Sequence, residues 1–340
     1  MKLKKVHDQV IVITGASSGI GLTTARMAAK RGSRVVLAAR SRDALRQLTD
    51  EISSEGGLAV YVVADVSRQE DVRRIAQTAH EKFGGFDTWV NNAATGLYGR
   101  IEDIAIDDMR RLFETNLWGL IYGSLEAVKH LRTRGGALIN VGSVVSGRAL
   151  PLQSVYASSK QAVQGFTDAL RSELEGDGAP ISVTLVKPSA IDTPFRRNAR
   201  NYLETDPGQV PPVCAPDAVA RAILHCAQTP VREVFAGGAG TPLTGFGERA
   251  PRLAGRFMRD RIMPPGARDL SPRERGQSGL DQPSERLEER GGYAGRVAKT
   301  GFHTEASVRP VITGAVVAGA GLAIASLWHA ISKGNRGRDE

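Results

Sequence analysis

From residue 9 to about residue 240 the chain alternates short runs of β-branched and apolar residues with longer segments of helical period. The runs are Gln9 to Thr14, Arg34 to Ala39, Leu58 to Ala64, Phe86 to Asn91, Ala137 to Val141, Ile181 to Lys187 and Glu233 to Ala236. None shows the strict polar and apolar alternation of a half-exposed strand. A strand that is apolar on both faces belongs in a parallel sheet covered by helices, and the intervening segments are long enough for right-handed crossovers. The pattern predicts a doubly wound α/β domain with a parallel sheet of about seven strands over residues 1–244. Glycines fall where helix-period segments stop, at Gly32, Gly56-Gly57, Gly84-Gly85 and Gly135-Gly136.

Beyond Gly245 the texture changes to Arg, Gly, Pro, Ser and Glu, as in Pro264-Pro265-Gly266 and Glu288-Glu289-Arg290-Gly291-Gly292. Residues 245–310 read as a disordered linker, with one short basic helix around Arg252 to Arg261. Val311 to Ser332 then runs 22 residues without a charge, the length that crosses about 30 Å of hydrocarbon. Its eight Val, Leu and Ile residues favour insertion by roughly 2–5 kcal/mol in sum, which the Gly, Ala, Ser, Thr and His329 content opposes. Small residues recur four apart at Gly314/Ala318, Ala315/Gly319 and Gly321/Ala325, a spacing that lets membrane helices approach closely. The expectation for 311–332 is a C-terminal hydrophobic helix acting as a membrane anchor; a helix packed on the domain or on a partner, and an unstructured tail, are the alternatives.

Composition narrows the class. With 340 residues, 41% hydrophobic and 24% charged, the chain can bury a core, which excludes wholesale disorder and fibrous repeats. Two cysteines, Cys214 and Cys226, exclude a disulfide scaffold and fit reduced thiols. No apolar signal region follows Met1-Lys2-Leu3-Lys4-Lys5, so the expected location is cytoplasmic, with membrane attachment through the C-terminal helix. Of the net charge of +9, residues from Phe246 onward supply 16 basic against 11 acidic groups, so basicity is partly a property of the tail. A solvated tail is the plainer reading of that charge, and no nucleic-acid partner is expected.

The first run leads directly into Thr14-Gly15-Ala16-Ser17-Ser18-Gly19-Ile20-Gly21 and then a helix-period segment. Glycines there allow a tight turn, close backbone approach to a pyrophosphate and close packing of helix on strand, with the helix N-terminus facing the anion. The spacing differs from G-x-G-x-x-G, and a glycine-rich turn without a ligand is the bland alternative. Gly15-Ala16-Ser17-Ser18-Gly19 also satisfies G-x-S-x-G, which would make Ser17 a hydrolase nucleophile. Only one short strand precedes it, leaving no upstream oxyanion loop. Some 20 residues on, where a Rossmann-type site selects its dinucleotide, the sequence reads Ala39-Arg40-Ser41-Arg42. Arginine pairs with the extra phosphate of NADP where an acidic residue would bind the ribose diol of NAD, so NADP(H) is expected. The alternative has Arg40 and Arg42 decorating a loop with Asp43 as helix cap.

Tyr156 and Lys160 stand four apart on the helix-period segment after the fifth run, and therefore on one face. A cation about 4 Å away at an effective dielectric of about 20 would stabilise a phenolate by up to ~4 kcal/mol, enough for acid–base work near neutrality. Alone the pair is weak, because Tyr-x-x-x-Lys is common on surfaces. Ser143 lies just past the fifth run, where strand ends line a ligand crevice, and Asn116 lies in the long helix before it.

Over about residues 7–240 the chain resembles the short-chain dehydrogenase/reductase family. Thr14 to Gly21 matches its cofactor loop, Asp65-Val66 its adenine contact, Asn91-Asn92-Ala93 its fourth-strand motif, and Asn116, Ser143, Tyr156 and Lys160 its catalytic four. The resemblance implies cofactor binding by Gly15, Ser17, Ser18, Gly19, Ile20, Gly21, Arg40, Asp65, Val66, Asn92, Tyr156, Lys160 and Thr193. It implies that Lys160 bonds the nicotinamide ribose, Ser143 holds the substrate oxygen, Tyr156 passes the proton as hydride moves, and Asn116 holds a water behind Lys160. It further implies a small-molecule carbonyl or alcohol substrate and a homodimer or homotetramer. Two departures, Ala94 and Ser189 where the family has glycine, would each cost roughly 1 kcal/mol if the backbone there needs a positive φ.

No metal is expected, since the six histidines lack ligand spacing; Trp89 and Trp118 are expected in the core. The sequence thus points to an NADP(H)-dependent oxidoreductase interconverting a carbonyl and a secondary alcohol. Its rival is a catalytically weak nucleotide-binding or membrane-tethered interaction protein on the same scaffold. A substrate lid is expected from about Phe195 to Val213.

Overall fold

The structure, a computed structural model, describes residues 1–203, 208–209, 211–238, 252, 278–284, 286–301 and 304–305. Seven strands form one fully parallel sheet: β1 (Val10–Thr14), β2 (Arg34–Ala39), β3 (Leu58–Val63), β4 (Thr88–Asn91), β5 (Gly136–Val141), β6 (Ile181–Pro188) and β7 (Glu233–Ala236). Their spatial order is β7-β6-β5-β4-β1-β2-β3. The chain thus starts in the middle of the sheet, runs to one edge, returns and runs to the other. That reversal leaves a crevice between β1 and β4 at the carboxyl ends of the strands.

Apolar residues on both faces of each strand give two cores. Ile11, Ile13, Val35 and Leu37 pack with Leu22 and Ala25 of α1 (Gly19–Lys30), Leu45 and Leu48 of α2 (Arg42–Ser54) and residues near the chain end. Their neighbours Val10, Val12 and Val36, pointing the other way, pack with Trp89, Leu138 and with Val72 and Ile75 of α3 (Gln69–Phe83). The remaining helices are α4 (Ile106–Phe113), α5 (Gly119–Arg134), α6 (Ser154–Gly176), the short α7 (Phe195–Asn198) and α8 (Pro216–Cys226). The glycines at the predicted helix ends have the left-handed backbone that stops a helix, as at Gly84 with φ +75.

The long helix before β5 is not continuous. Between α4 and α5 lies a π-helical turn, Glu114–Trp118, carrying Asn116. Trp118, expected in the core, is 45% exposed on that turn, with the Tyr122 ring 6.0 Å away; the wider turn rotates it outward. Trp89 is fully buried as expected, and its indole nitrogen donates to Asn91 Oδ1 at 2.7 Å.

Where the linker expected from composition to be disordered is described, at residues 278–284 and 286–301, it is ordered against the domain. Within it, Val297–Ala298 pairs in parallel with Val213–Cys214. Leu280 is buried there, and backbone groups on both sides of the contact find partners, which charge-rich composition alone does not reveal. The basic helix expected at Arg252 to Arg261 (apart from Arg252) and the hydrophobic stretch 311–332 lie outside the described residues. Among the described residues no helix is long and apolar enough to cross a membrane.

Candidate active site

The glycine-rich turn between β1 and α1 is shaped by what surrounds it. Gly15 has φ +68, and a Cβ there would stand 2.8 Å from Ala93 Cα; Gly19 has φ +51, with Thr193 Cβ 3.1 Å from where its Cβ would be. Thr14 Oγ1 accepts from the amides of Asn92 (3.0 Å) and Ala93 (3.1 Å), and Asn92 Nδ2 donates to Thr14 O at 2.9 Å. These bonds tie the end of β4 to the turn, so the floor of the crevice is rigid. Ser18 precedes α1 without capping it through its side chain, and no acidic residue follows in the first turn. The α1 N-terminus therefore presents amides and a positive dipole end to the crevice, as an anionic pyrophosphate requires.

At the end of β2, Ser41 rather than Asp43 caps α2, accepting from the Ala44 amide at 3.4 Å. The guanidinium of the adjacent Arg40 donates to the carbonyls of Gly279 and Leu280. Asp65 Oδ1 accepts from the Ser67 amide (3.0 Å) and hydroxyl (2.8 Å), while its own amide donates to Asp71 Oδ2 at 2.8 Å. Val66 beside it is buried against Gly119, where a Cβ would stand 2.7 Å from Val66 Cγ2.

On the far side of the crevice, Ser143 follows β5 by two residues, and Tyr156 and Lys160 project from α6. Tyr156 is half-buried, and its phenol shares a hydrogen bond with Ser143. Burial holds the phenol well above its ordinary value; the Ser143 hydroxyl lowers it and the neighbouring Tyr98 raises it. The phenol is therefore less acidic than usual, contrary to the expectation from the Tyr156–Lys160 spacing. The Lys160 ammonium lies 6.0 Å from the Tyr156 ring centroid and donates to Val141 O at 2.9 Å, so its field acts on that carbonyl first. Lys160 is only 2% exposed, and burial pushes its ammonium down to about 8.

Asn116 reaches the same centre from the π turn. Its Oδ1 accepts from Thr95 N at 2.8 Å, and its Nδ2 donates to Thr95 O at 3.0 Å and Ser159 Oγ at 3.2 Å. It thus locks the loop after β4 onto α6, one residue before Lys160. Such turns interrupt regular helix hydrogen bonding and recur at functional positions.

These residues and the fold around them agree with the comparisons. The sequence profile of the short chain dehydrogenase family matches residues 9–204. The chain belongs to that family. A relative described as an uncharacterized oxidoreductase, YxnA of Bacillus subtilis, is 47% identical over 325 residues, covering 94% of this chain and 90% of its own. An alcohol dehydrogenase from the archaeon Thermococcus sibiricus, complexed with 5-hydroxy-NADP, superposes with a TM-score of 0.60 at 29% identity, covering 67% of this chain and 95% of that one. L-sorbose reductase from Gluconobacter frateurii, complexed with NADPH and L-sorbose, gives 0.61 at 26% identity, over 71% of this chain and 98% of its own. As a short-chain dehydrogenase/reductase the chain is an oxidoreductase, and these solved relatives bind nicotinamide dinucleotides.

The short-chain dehydrogenase fold brings Asn116, Ser143, Tyr156 and Lys160 to one end of the sheet, with Thr193 across from Gly19 in the same crevice. Ala94 and Ser189 have no positive φ, so the strain considered for them does not arise; Ser189 instead accepts from the Gly238 amide at 3.0 Å. Two residues went unnoticed in the sequence. Tyr98 stands close enough to raise the Tyr156 phenol, and Leu152 has φ 65 while its carbonyl accepts from Gly99 N at 3.0 Å. No local pattern marks either one. Phe195, expected in the lid, sets its ring 5.4 Å from that of Tyr156 at a tilt of 54°, and the lid is held by Leu97–Tyr98 pairing with Arg200–Asn201. Residues 204–207 and 210 of the expected lid lie outside the described residues.

Proposed function

We propose that the protein is an NADP(H)-dependent oxidoreductase that interconverts a carbonyl and a secondary alcohol. The observation that carries this reading is the hydrogen-bonded Ser143–Tyr156 pair beside the buried Lys160, opposite a glycine turn with no room for a Cβ at Gly15 or Gly21. The dinucleotide, when bound, supplies or accepts the hydride at its nicotinamide ring. The residues present fit that group: the α1 amides at Gly19, Ile20 and Gly21 would hold the pyrophosphate, with Ser17 and Ser18 beside them. Asp65 and Val66 would flank the adenine, Asn92 would support the turn, and Thr193 would meet the carboxamide.

A substrate carbonyl oxygen between Ser143 and Tyr156 would accept two hydrogen bonds, and the phenol would hand over its proton. A phenol carries its proton at neutral pH and burial holds it there, so Tyr156 can donate to a carbonyl oxygen. Lys160 would bond the ribose hydroxyls, and Asn116 would act as a positioning residue that fixes the loop after β4 against α6.

Arg40 is the residue proposed to select NADP(H), since its guanidinium can pair with a 2′-phosphate. Titrating the full chain with NADPH and NADH by fluorescence tests this. Arg40→Asp should lose most of the preference for NADPH; an unchanged ratio of affinities would refute the assignment. A carbonyl-compound screen that follows NADPH absorbance tests the reaction class, and a protein that turns over none of a broad panel would speak against it.

A further inference from the structure

The crevice that the preceding reading gives to a dinucleotide is crossed by this chain's own residues 278–284 and 286–293. Arg40 donates from its guanidinium to the carbonyl of Gly279, and to that of Leu280 at 3.5 Å. The Gly19 amide, first of the α1 amides, donates to Glu288 O at 2.9 Å. Asp192, next to Thr193, accepts at one carboxylate oxygen from the amides of Gly291 and Tyr293, each at 3.0 Å. Both ends proposed for the dinucleotide, the phosphate-selecting arginine and the Thr193 loop, are therefore engaged at once.

Side chains add to the backbone contacts. Leu280 is 6% exposed and belongs to an apolar cluster with Leu97, Leu112 and Val155, against which Tyr156 packs. Asp281 pairs with Arg111 of α4 and Arg200 of the lid, and Glu288 pairs with Arg197. Beyond the crossing, the pairing of Val297–Ala298 with Val213–Cys214 ties the segment to the domain. At Arg40 and at the Gly19 amide the oxygens offered are neutral peptide carbonyls. Charged phosphate oxygens make bonds to arginine and to a helix N-terminus roughly twice as strong, so a dinucleotide presents the better partner at both points.

We infer that residues 278–284 and 286–293 form an intramolecular strap docked in the cofactor crevice, and that a dinucleotide binds by displacing it. This rests on the dinucleotide reading of the crevice. Its consequence is that the apparent affinity for the cofactor is reduced by the fraction of molecules with the strap closed.

The test uses the full-length protein and the double variant Leu280→Ala/Asp281→Asn, which touches no proposed catalytic or cofactor-binding residue. NADPH fluorescence titration should give a dissociation constant roughly ten- to hundredfold lower for the variant, since the strap loses its buried anchor. Hydrogen exchange on the wild-type chain, which needs no substitution, should show residues 278–293 exchanging faster when NADPH is saturating. Weaker NADPH binding by the variant, or slower exchange of 278–293 with NADPH, would mean that the segment closes over the cofactor and would overturn the competition. Unchanged affinity together with unchanged exchange would overturn it as well. Absence of NADPH and NADH binding in both proteins would instead sink the dinucleotide reading, and the competition with it.

Discussion

Replacing Lys160 with methionine should make the protein more stable at neutral pH while removing a group placed at its reactive centre. Burial lowers the Lys160 ammonium from 10.5 to about 8. At roughly 1.36 kcal/mol per pH unit, holding that charge inside the fold costs about 3 kcal/mol at pH 7. Below about pH 8 both the folded and unfolded chains carry the proton, and the full penalty applies. Between about 8 and 10.5 the unfolded chain keeps a proton that the folded one has released, so stability rises with pH across that window. Above it the penalty is gone. Methionine restores the buried volume without the charge but loses the 2.9 Å bond from Nζ to Val141 O, worth about 1 kcal/mol. Lys160→Met should therefore gain about 2 kcal/mol at pH 7 and lose roughly 1 kcal/mol relative to wild type above pH 10.5. Urea unfolding of the nucleotide-free proteins at pH 7, 9 and 10.5 reads the difference directly. Cys226, which burial pushes up to about 12, titrates alike in both proteins and cancels. A variant less stable than wild type at pH 7, or a difference that does not vary with pH, would refute the reasoning.

Two further substitutions separate chemistry from architecture. Tyr156→Phe removes the phenol and its bond to Ser143, and kcat should fall roughly 10²–10⁴-fold while NADPH affinity changes little; steady-state kinetics with retained turnover would defeat the assigned proton transfer. Asn116→Ala strips partners from Thr95 N, Thr95 O and Ser159 Oγ together, and should destabilise the fold by about 2–4 kcal/mol in urea unfolding. A loss under about 1 kcal/mol would show that those buried groups are satisfied without it.

Much of this architecture is legible in the sequence because it depends on local signals. Runs such as Val10–Thr14 and Ile181–Pro188 are apolar on both faces, and only a strand in the middle of a covered parallel sheet needs that. The glycines of the first turn sit where backbone must pass close to backbone, and the Tyr156–Lys160 spacing survives intact on α6. What escapes depends on distance or on burial. The sequence cannot show that Lys160 Nζ turns to Val141 O, nor that desolvation outweighs its field at Tyr156, because both follow from how α6 meets β5. Trp118 looks like core until the π turn swings it outward. The strap was missed for the opposite reason. Its anchoring is one buried leucine, backbone bonds and the ion pairs of Asp281 and Glu288, and none of these changes the composition of an Arg- and Gly-rich stretch enough to mark it as ordered.

The parallel pairing of Val213–Cys214 with Val297–Ala298 has a bearing on how the protein is made. The last strand of the main sheet ends at Ala236, 61 residues before Val297, so at ~5–20 residues/s the sheet is translated several seconds before the partner of Val213 appears. A nascent chain arrested in that interval would carry a finished sheet with a bare crevice. Such stalled chains, compared with the released product, offer a view of the pocket before its own C-terminal region arrives to cover it.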